Sequence, residues 1–294
     1  MDVSIIIVNY NTKELLRNCL LSIYEHTKDI KFEVIVSDND SSDGSVDMIK
    51  NDFPQVVLIE NDRNLGFGAA NNRGQKIAKG KYILYLNSDT LLLNNAVKLF
   101  FDFWEKAEDQ SIGALGANLE DNKGNIILSW EYFPSAKSEI KYCLLRVINY
   151  WCIKPLKKTN SNINKNNVKK YKVGDVDFIC GADLFVKNNE MSIFDEDFFL
   201  YFEETNLQLQ MAKKNLRRLL IEGPRIIHLQ GGTNVKKTSL SFVEKDLSKS
   251  AKCMEVSRIL YAKKNFSIFS TAVLKLLIWL YWSAPIFLFS KKRK

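Results

Sequence analysis

The sequence lacks the features of a disulfide-stabilised or exported protein. Its five cysteines are an odd number and none forms a Cys-x-x-Cys pair, so neither a disulfide framework nor a structural zinc site is expected. Met1 leads through Asp2 directly into the apolar run Val3–Val8, without the basic segment and hydrophobic region of a secretory signal peptide. Long polar repeats are also absent, which argues against a disordered chain. These absences favour a globular protein of a reducing compartment.

What is present fits a substantial core and an anionic partner. The 294 residues, 46% hydrophobic and 26% charged, suffice for one large α/β domain or two small ones. The net charge of +8 is compatible with an anionic binding partner, such as nucleic acid, nucleotide phosphates or an acidic membrane face. The simpler alternative is that the surplus lysines are solvated on the surface. No nucleic-acid binding is expected, because the sequence has no recognition helix and no aromatic stacking motif.

Short apolar runs alternate with amphipathic segments in the first 120 residues. Strands are predicted at Val3–Val8, Phe32–Val36, Val56–Ile59, Tyr82–Leu86 and Ile112–Ala117. Helices are predicted between them, at Thr12–Tyr24, Val46–Lys50, Gly68–Ala78 and Ala96–Ala107. This alternation predicts an α/β fold with a mostly parallel sheet covered on both faces. In such a sheet, ligands bind beyond the carboxyl ends of the strands.

The pattern loosens after about Asp121. Lys154–Lys172 is rich in Lys and Asn and is predicted to be a mobile loop. A helix is expected from about Glu203 to Lys214, strands at Leu219–Glu222 and Ile226–Leu229, and a long amphipathic helix at Phe242–Lys263.

The last segment, Phe266–Phe289, is strongly apolar but is interrupted by Lys275 and Pro285. A spanning helix needs ~20 apolar residues with few charges, so this stretch is borderline. Aromatic residues that favour membrane interfaces occur in it, namely Trp279, Tyr281 and Trp282. We therefore favour a helix that lies on the membrane with its basic end, Lys291–Lys294, at the anionic cytoplasmic leaflet. A tail packed on the domain and a true span are the alternatives.

Polar residues follow the predicted strands. Asp38 and Asn39 come at the mouth of the second strand, where they could hydrogen-bond a base or a ribose. Gly66 and Gly68 allow close approach of a ligand before a helix whose N-terminus favours negative charge. Asp89, after the fourth strand, could hold a hard divalent cation or simply cap the next helix.

Six motifs now stand in order along the chain. They are Val3-Ser-Ile-Ile-Ile-Val-Asn-Tyr-Asn, Ser37-Asp-Asn-Asp-Ser-Ser-Asp-Gly-Ser, Asn64-Leu-Gly-Phe-Gly, Asn87-Ser-Asp-Thr, Phe194-Asp-Glu-Asp-Phe-Phe-Leu-Tyr-Phe-Glu-Glu and His228-Leu-Gln-Gly-Gly-Thr. In this series the chain resembles the glycosyltransferase family 2 proteins with a GT-A fold, especially the bacterial rhamnosyltransferase-like branch. The resemblance runs from about Val3 to Lys264 and leaves only the tail outside.

The resemblance implies a nucleotide-sugar site with a divalent cation, Mg²⁺ or Mn²⁺. Residues that would contact the nucleotide-sugar are Asn9, Asp38, Asn39, Asn64, Gly66, Asn71, Asn87 and Ser88. Asp89 would be the metal-binding acid of the family's Asp-x-Asp motif, in which this chain has Asn87 at the first position. His228 would join the metal or the diphosphate, whereas a histidine after an apolar strand is otherwise usually an edge residue.

Catalysis would depend on the acidic pair Glu203-Glu204. The second acid is the family's usual base, so we assign the base to Glu204, with Glu203 as the alternative. A purely structural alternative is that the two acids form a solvated helix start, which the helix dipole favours. The chain departs from the family pattern in having Glu at 204, Asn206 where Asp is common and Gln210 where Arg is common. The acceptor would lie near Gly181, Ala182 and Asp183, and residues 141–175 would form a lid.

The implied function is inverting transfer from a nucleoside-diphosphate sugar, such as a dTDP- or UDP-sugar, to a hydroxyl of a lipid-linked or polysaccharide acceptor. Such an enzyme would act in capsule, exopolysaccharide or O-antigen synthesis, in the cytoplasm at the inner face of the plasma membrane. The alternative is a non-catalytic nucleotide-sugar-binding or scaffold subunit. The expected organisation is a GT-A domain at 1–264, with a nucleotide-sugar half at 1–120 and an acceptor half at 121–264, and a membrane-associating tail at 265–294. A homodimer is compatible with this arrangement.

Overall fold

The structure, a computed structural model, describes residues 1–151, 171–229 and 248–291. The chain divides into two compact units, whose described residues are 1–132 with 171–229, and 133–151 with 248–291. The mobile loop predicted at Lys154–Lys172 lies largely outside the described residues, as do the start of the helix predicted at Phe242–Lys263 and the last three basic residues.

The first unit contains all of the described strands. These are β1 Val3–Asn9, β2 Phe32–Asp38, β3 Val57–Glu60, β4 Tyr82–Asn87, β5 Thr90–Leu92, β6 Ile112–Gly116, β7 Leu119–Glu120, β8 Trp130–Glu131, β9 Gly174–Val176, β10 Phe178–Ile179, β11 Asp183–Lys187, β12 Arg217–Leu220 and β13 Ile226–His228. Its helices are α1 Lys13–His26, α2 Ser45–Asp52, α3 Phe67–Ile77, α4 Ala96–Lys106 and α6 Glu203–Lys213, with a short 3₁₀ helix at Glu190–Ser192.

The main sheet has eight strands in the order β3-β2-β1-β4-β11-β6-β12-β9. Adjacent strands β3, β2, β1 and β4 are parallel, β6 and β12 are parallel to each other, and β11 and β9 pair antiparallel with their neighbours. The predicted α/β fold with a mostly parallel sheet is therefore confirmed. In this order the carboxyl ends of β1, β2 and β4 lie side by side.

The central strands β1, β4 and β6 are mostly apolar and buried because both faces of the sheet are covered there. Successive side chains of a strand point to opposite faces. Accordingly, Ile5 and Ile7 of β1 pack in one hydrophobic cluster with α1 and α4, whereas Ile6 packs in a second cluster with Leu207 and Met211 of α6. Both clusters consist of side chains that are nearly or fully inaccessible, which fixes the register of the strands that carry the site.

A smaller sheet of order β5-β13-β7 brings together distant parts of the first unit. Strand β13 pairs antiparallel with β5, and His228 lies opposite Thr90 in the register. The amide of Leu229 extends this pairing by donating to the carbonyl of Asp89 at 2.9 Å. The sheet therefore sets the imidazole of His228 directly beside the end of the Asn87-Ser88-Asp89 motif.

The second unit consists, among its described residues, of α5 Ala136–Trp151, α7 Lys249–Asn265 and α8 Ile268–Lys291. A small apolar cluster joins the three helices through Cys143, Ala262, Leu274 and Ile278. This division differs from the predicted boundary between 264 and 265, because α7 and α5 pack with α8. Residues 141–151 of the predicted lid belong to α5, and most of the remaining lid lies outside the described residues.

The tail is helical, as predicted, but its aromatic residues divide between two environments. Tyr281 is buried at 5% exposure, and the guanidinium carbon of Arg146 lies 3.9 Å from its ring centroid. Trp279 is 61% exposed. Among the described residues, no helix combines the length and the apolar character needed to cross a membrane.

Buried ion pairs connect α5 to α7 in the second unit. Arg258 of α7 pairs with Glu139 of α5, Arg146 of α5 pairs with Glu255 of α7, and Arg258 Nε lies 3.3 Å from Glu255 Oε2. All four side chains are less than one-fifth exposed. Removing one partner from such a network leaves an uncompensated buried charge, which costs far more than losing a surface pair.

We expect Arg258→Met to destabilise the protein by ~3–5 kcal/mol, because Glu139 would remain buried without its partner. Lys98→Met is the matched control, since it breaks the half-buried α4 pair with Asp102 and should cost no more than ~0.5 kcal/mol. Chemical denaturation monitored by circular dichroism measures both. Equal effects of the two substitutions would contradict a structural role for the network.

Candidate functional site

A cavity of about 350 Å³ opens at the carboxyl ends of β1, β2 and β4. It lies where the strand pattern predicts a ligand site. Its lining residues are Val8, Tyr10, Thr12, Asn39, Asn64, Gly66, Phe67, Asn87, Ser88, Asp89, Phe199, Leu200, Tyr201 and His228. Six of the predicted nucleotide-sugar and metal-binding residues are therefore brought to one cavity from three separate motifs, and His228 joins them from a fourth.

Two of the predicted nucleoside contacts lie beneath the cavity wall. Asn9 is fully buried, and its Nδ2 donates to Asp38 Oδ1 at 2.7 Å while its Oδ1 accepts from Thr12 at 2.6 Å. Asp38 is 1% exposed, and its other carboxylate oxygen accepts from the Ser41 amide at 2.9 Å. In this structure both side chains support the strand ends, and they lie behind the residues that line the cavity.

Asn39 lines the cavity and also holds the loop that follows β3. Its amide nitrogen donates to the Gly66 carbonyl at 3.1 Å and to Asn64 Oδ1 at 3.3 Å. Its carbonyl oxygen accepts from Asn61 at 3.1 Å and from the Leu65 amide at 3.3 Å. One side chain thus fixes residues 61–66, and with them the position of Asn64 and Gly66 at the cavity.

Asn71 differs from its prediction. It was expected in the ribose and diphosphate region, but it is 1% exposed and donates to the Phe67 carbonyl at 3.1 Å, one turn earlier in α3. Its side chain is used inside the helix and does not line the cavity. The physical reason is its position on the buried face of α3, which sequence spacing alone did not reveal.

The segment before α6 closes one side of the cavity against the Gly66 loop. Phe199 accepts from the Phe67 amide at 2.9 Å, and a Cβ at position 66 would lie 2.2 Å from the same carbonyl oxygen. Gly66 also has φ +87°, so only glycine fits this contact without strain. Tyr201 and Phe202 follow with φ of 70° and 68°, a strained conformation for aromatic residues that such segments adopt at functional sites.

Asp89 and His228 form the most specific contact in the cavity. Nε2 of His228 lies 3.3 Å from Oδ1 of Asp89, and both side chains are about nine-tenths buried. The second ring nitrogen, Nδ1, is buried and has no hydrogen-bond partner among the described residues. The pair offers one carboxylate and one imidazole to a ligand that enters from the cavity.

These two residues fit the protein part of a Mg²⁺ or Mn²⁺ site. Such ions are commonly held by one or two protein carboxylates, with phosphate oxygens and water completing the coordination. Among the described residues, no three His, Cys, Asp or Glu side chains gather as a metal site. Asn87, at the first position of the motif, lines the cavity without adding negative charge.

The acidic pair at the start of α6 lies outside the lining of the cavity. Glu203 is 4% exposed, and its Cβ lies 3.6 Å from the Cβ position of Gly68 in α3. Glu204 points in another direction, with its Cγ 3.3 Å from the Cβ position of Gly181. The pKa of Glu204 is raised by burial, and the pKa of Glu203 is raised well above its usual range by burial and by the charge of Glu204. The Oε2 atoms of both have no hydrogen-bond partner among the described residues.

Burial raises the pKa of the Cys180 thiol to about 12, and the charges of Glu204, Asp183 and Asp89 act on it in the same direction.

The predicted acceptor residues occupy different depths. Gly181 is partly exposed beneath Glu204, whereas Ala182 and Asp183 are fully buried in the structure. Oδ2 of Asp183 accepts from the Ala117 amide at 2.7 Å, and burial raises the pKa of this carboxyl well above its usual range. This burial argues against a direct contact between Asp183 and an acceptor, so an acceptor role for Asp183 stays a prediction.

Sequence reasoning missed several lining residues. Tyr10 is 42% exposed directly after β1, and its place between Asn9 and Asn11 was a signal that it stands at the strand mouth. Phe198 and Phe202 of the aromatic run 198–202 are buried in the core, whereas Phe199, Leu200 and Tyr201 line the cavity. The backbone turn at Tyr201 and Phe202 contributes to this division between core and cavity-lining side chains, and no sequence pattern predicts the turn.

Comparison with known proteins decides the family. The profile of glycosyl transferase family 2 matches residues 4–166, more than half of the 294 residues. The chain belongs to the glycosyl transferase family 2. As a member of this family it has the expected α/β GT-A-like fold, while membership of the rhamnosyltransferase-like branch stays a prediction.

Curated relatives of this family 2 protein match only part of its length. It is 37% identical over 121 residues to a poly(ribitol-phosphate) beta-glucosyltransferase of Bacillus spizizenii, which covers 40% of this chain and 19% of the relative. It is 32% identical over 145 residues to the uncharacterized glycosyltransferase MJ1057 of Methanocaldococcus jannaschii, which covers 47% of this chain and 49% of the relative. The matched part thus spans half or less of these relatives.

Solved structures of low identity share the fold over nearly the whole chain. TarS of S. aureus in complex with UDP gives a TM-score of 0.55 at 14% identity, covering 97% of this chain and 81% of that one. The mannosyltransferase PcManGT of Pyrobaculum calidifontis in complex with GDP-Man and Mn²⁺ gives a TM-score of 0.51 at 16% identity, covering 98% and 83%.

The contact between Gly66 and Phe199 predicts a large effect of Gly66→Ala. We expect a loss of more than ~3 kcal/mol of stability, because the new methyl adds a backbone clash to the ~1–2 kcal/mol cost of a left-handed alanine. Gly124→Ala is the matched control, since Gly124 has φ +76° but only a side-chain oxygen at 4.0 Å. Urea denaturation of both variants measures the difference. Equal costs would contradict the proposed closure of the cavity wall.

Proposed function

We propose that this family 2 protein transfers a sugar from a nucleoside-diphosphate sugar to an acceptor hydroxyl with inversion. The observation that carries the proposal is the approach of His228 Nε2 to Asp89 Oδ1, at 3.3 Å, inside a cavity at the carboxyl ends of the parallel strands. The fold likeness to TarS with UDP and to PcManGT with GDP-Man supports a nucleotide-sugar donor. The named glucosyltransferase among its relatives supports glycan synthesis.

The donor would lie along the cavity, from the β1 and β2 mouths to Asp89. Tyr10 and Asn39 stand at the first end and offer an aromatic ring and an amide to the nucleoside. Gly66 and Phe67 open α3, whose N-terminal amides favour a diphosphate. Asp89 and His228 would hold Mg²⁺ or Mn²⁺, which would neutralise the leaving diphosphate when bound. The family resemblance makes hexosyl and deoxyhexosyl donors the first ones to test.

Glu204 would act as the general base. The carboxylate of Glu204 would accept the proton of an acceptor hydroxyl as the hydroxyl oxygen attacks the anomeric carbon and the bond from that carbon to the diphosphate breaks. Its raised pKa strengthens it as a base relative to an ordinary glutamate. Glu203 faces α3 and is nearly inaccessible, which favours Glu204 of the two.

The departures of α6 from the family pattern are consistent with retained activity. Asn206 and Gln210 stand where Asp and Arg are common, and Gln210 Nε2 lies 3.5 Å from Asn206 Oδ1, one turn away. The two amides are therefore linked to each other, which is compatible with a retained active site at the start of α6.

The acceptor we propose is a lipid-linked or polysaccharide glycan, with the protein at the inner face of the plasma membrane. Among the relatives is WfaP of Escherichia coli, a UDP-Glc:alpha-D-GlcNAc-diphosphoundecaprenol beta-1,3-glucosyltransferase, 35% identical over 105 residues. That similarity covers 35% of this chain, so it supports the acceptor class and does not identify the acceptor. Attachment of the tail to the membrane and a homodimer belong to the same proposal.

Glu204→Gln is expected to lower kcat by ~10²–10⁴-fold, because an amide cannot take the proton. Glu190→Gln, at an exposed glutamate of the 3₁₀ helix, is the matched control and should leave kcat unchanged. Release of nucleoside diphosphate from a panel of sugar donors measures both. Full activity of Glu204→Gln would remove Glu204 from the mechanism.

The wild-type pH profile offers a separate check on the base. Glu204 must be ionised to act, and burial raises its pKa, so kcat/KM should fall as the pH decreases through a value above the ordinary ~4.3 of glutamate. A profile whose acid limb lies at or below that ordinary value would contradict the assignment.

Metal dependence is tested by thermal stability. A UDP-sugar at ~100 times its Kd should stabilise the protein by ~2.7 kcal/mol, and Mn²⁺ should increase this effect at a subsaturating donor concentration. Asp89→Asn should abolish the increase due to Mn²⁺, while Asp102→Asn in α4 should retain it. An unchanged Mn²⁺ effect in Asp89→Asn would place the cation elsewhere.

A further inference from the structure

The second unit separates its charges in an unusual way. Its only acidic residues among those described are Glu139 and Glu255, and both pair with arginines between α5 and α7. The acids and their arginine partners are therefore largely withdrawn from solvent. The exposed charged residues on the described part of this unit are consequently all lysines.

These lysines are distributed over all three helices. They are Lys137, Lys141, Lys249, Lys252, Lys263, Lys264 and Lys275. Because the two described acids are already engaged internally, the described surface of this unit is rich in positive charge. Such a surface attracts anions over a distance of about a Debye length.

Large apolar side chains are exposed on the same unit. On α8, Ile268 is 91% exposed, Phe269 78%, Trp279 61% and Leu276 55%. On α5, the exposed apolar residues are Leu144, Leu145 and Ile148. Exposed apolar side chains in this number mark an interaction site, since monomeric proteins seldom leave them clustered on so short a segment.

We propose that this docking surface, made of the exposed apolar residues of α5 and α8 and the lysines around them, binds an anionic lipid bilayer. The inference rests on the membrane association proposed above and deepens it by naming the lipid charge and the side chains. Ile268 and Phe269, at the start of α8, would enter the interface, and Lys263 and Lys275 would contact the headgroups. Tyr281, which packs on Arg146, would stay within the unit.

Charge complementarity favours a bilayer over a second copy of the chain. In a twofold symmetric dimer the same patch occurs on both sides, so lysines would face lysines across the interface. An anionic leaflet has the opposite sign and attracts each nearby lysine by an amount that corresponds to about a fivefold gain in affinity. Exposed tryptophan is also typical of the interface between headgroups and acyl chains.

Co-sedimentation of the full chain with vesicles tests the proposal. Binding is expected with vesicles that contain phosphatidylglycerol, weakened by salt, and much reduced with phosphatidylcholine alone. The double variant Ile268→Ser/Phe269→Ser should lose at least about tenfold in affinity. Tyr132→Ser, which removes a 67% exposed aromatic residue of the first unit, is the matched control and should bind like the wild type.

A second pair of variants tests the contribution of charge. Lys263→Gln/Lys275→Gln is expected to lose about fivefold in affinity for anionic vesicles for each lysine replaced. Lys76→Gln/Lys79→Gln, on the first unit, is the matched control and should bind like the wild type. Absence of binding to anionic vesicles, or equal binding by the Ile268/Phe269 variant, would overturn the proposal. So would a change from dimer to monomer in that variant without lipid, measured by light scattering, because a second copy would then cover the surface.

Donor-induced thermal stabilisation of the same variants, without vesicles, separates this proposal from the proposed function. Stabilisation of the wild type and the variants together with failed vesicle binding would overturn only the docking surface. Vesicle binding without any response to sugar donors would overturn only the proposed function.

Discussion

The candidate site depends on one backbone pairing, between β5 and β13. This antiparallel ladder sets His228 opposite Thr90 and lets the Leu229 amide donate to the Asp89 carbonyl. A shift of one residue in its register would turn the His228 side chain to the other face of the small sheet and remove it from Asp89. The imidazole–carboxylate contact at 3.3 Å is thus a consequence of strand pairing between two distant segments.

A second level of organisation lies under the cavity. Polar side chains at the ends of β1 and β2 bond mainly to one another, as in the contact of Asn9 with Asp38, and these bonds hold the strand mouths in place. Asn39 does the same for the loop that carries Gly66. Buried polar groups of this kind are costly unless fully partnered, and when partnered they make the local structure rigid. Residues that a motif marks as functional can therefore act by positioning the groups that touch the ligand.

The two units differ in whether their buried acidic side chains have partners. The first leaves the Oε2 atoms of Glu203 and Glu204 without a hydrogen-bond partner among its described residues, a costly arrangement that is common at functional sites. The second pairs both of its described acids with arginines and exposes lysine. Because both described acids are engaged internally, the charges exposed on the described part of this unit are those of lysines, so an internal network influences how that surface can interact.

Local sequence patterns were enough to predict the alternation of strands and helices, the parallel sheet and several motif residues that reach the cavity, such as Asn64, Asn87 and Asp89. They were enough because hydrophobic periodicity and strand-end chemistry are local properties. The division between polar residues in the cavity wall and polar residues beneath it depends on tertiary contacts, as Asn71 and Asp183 show. The packing of α5 and α7 with α8, and the contact of His228 with Asp89, depend on tertiary contacts as well. Burial and long-range pairing arise from contacts between segments far apart in the chain, and no local pattern encodes them.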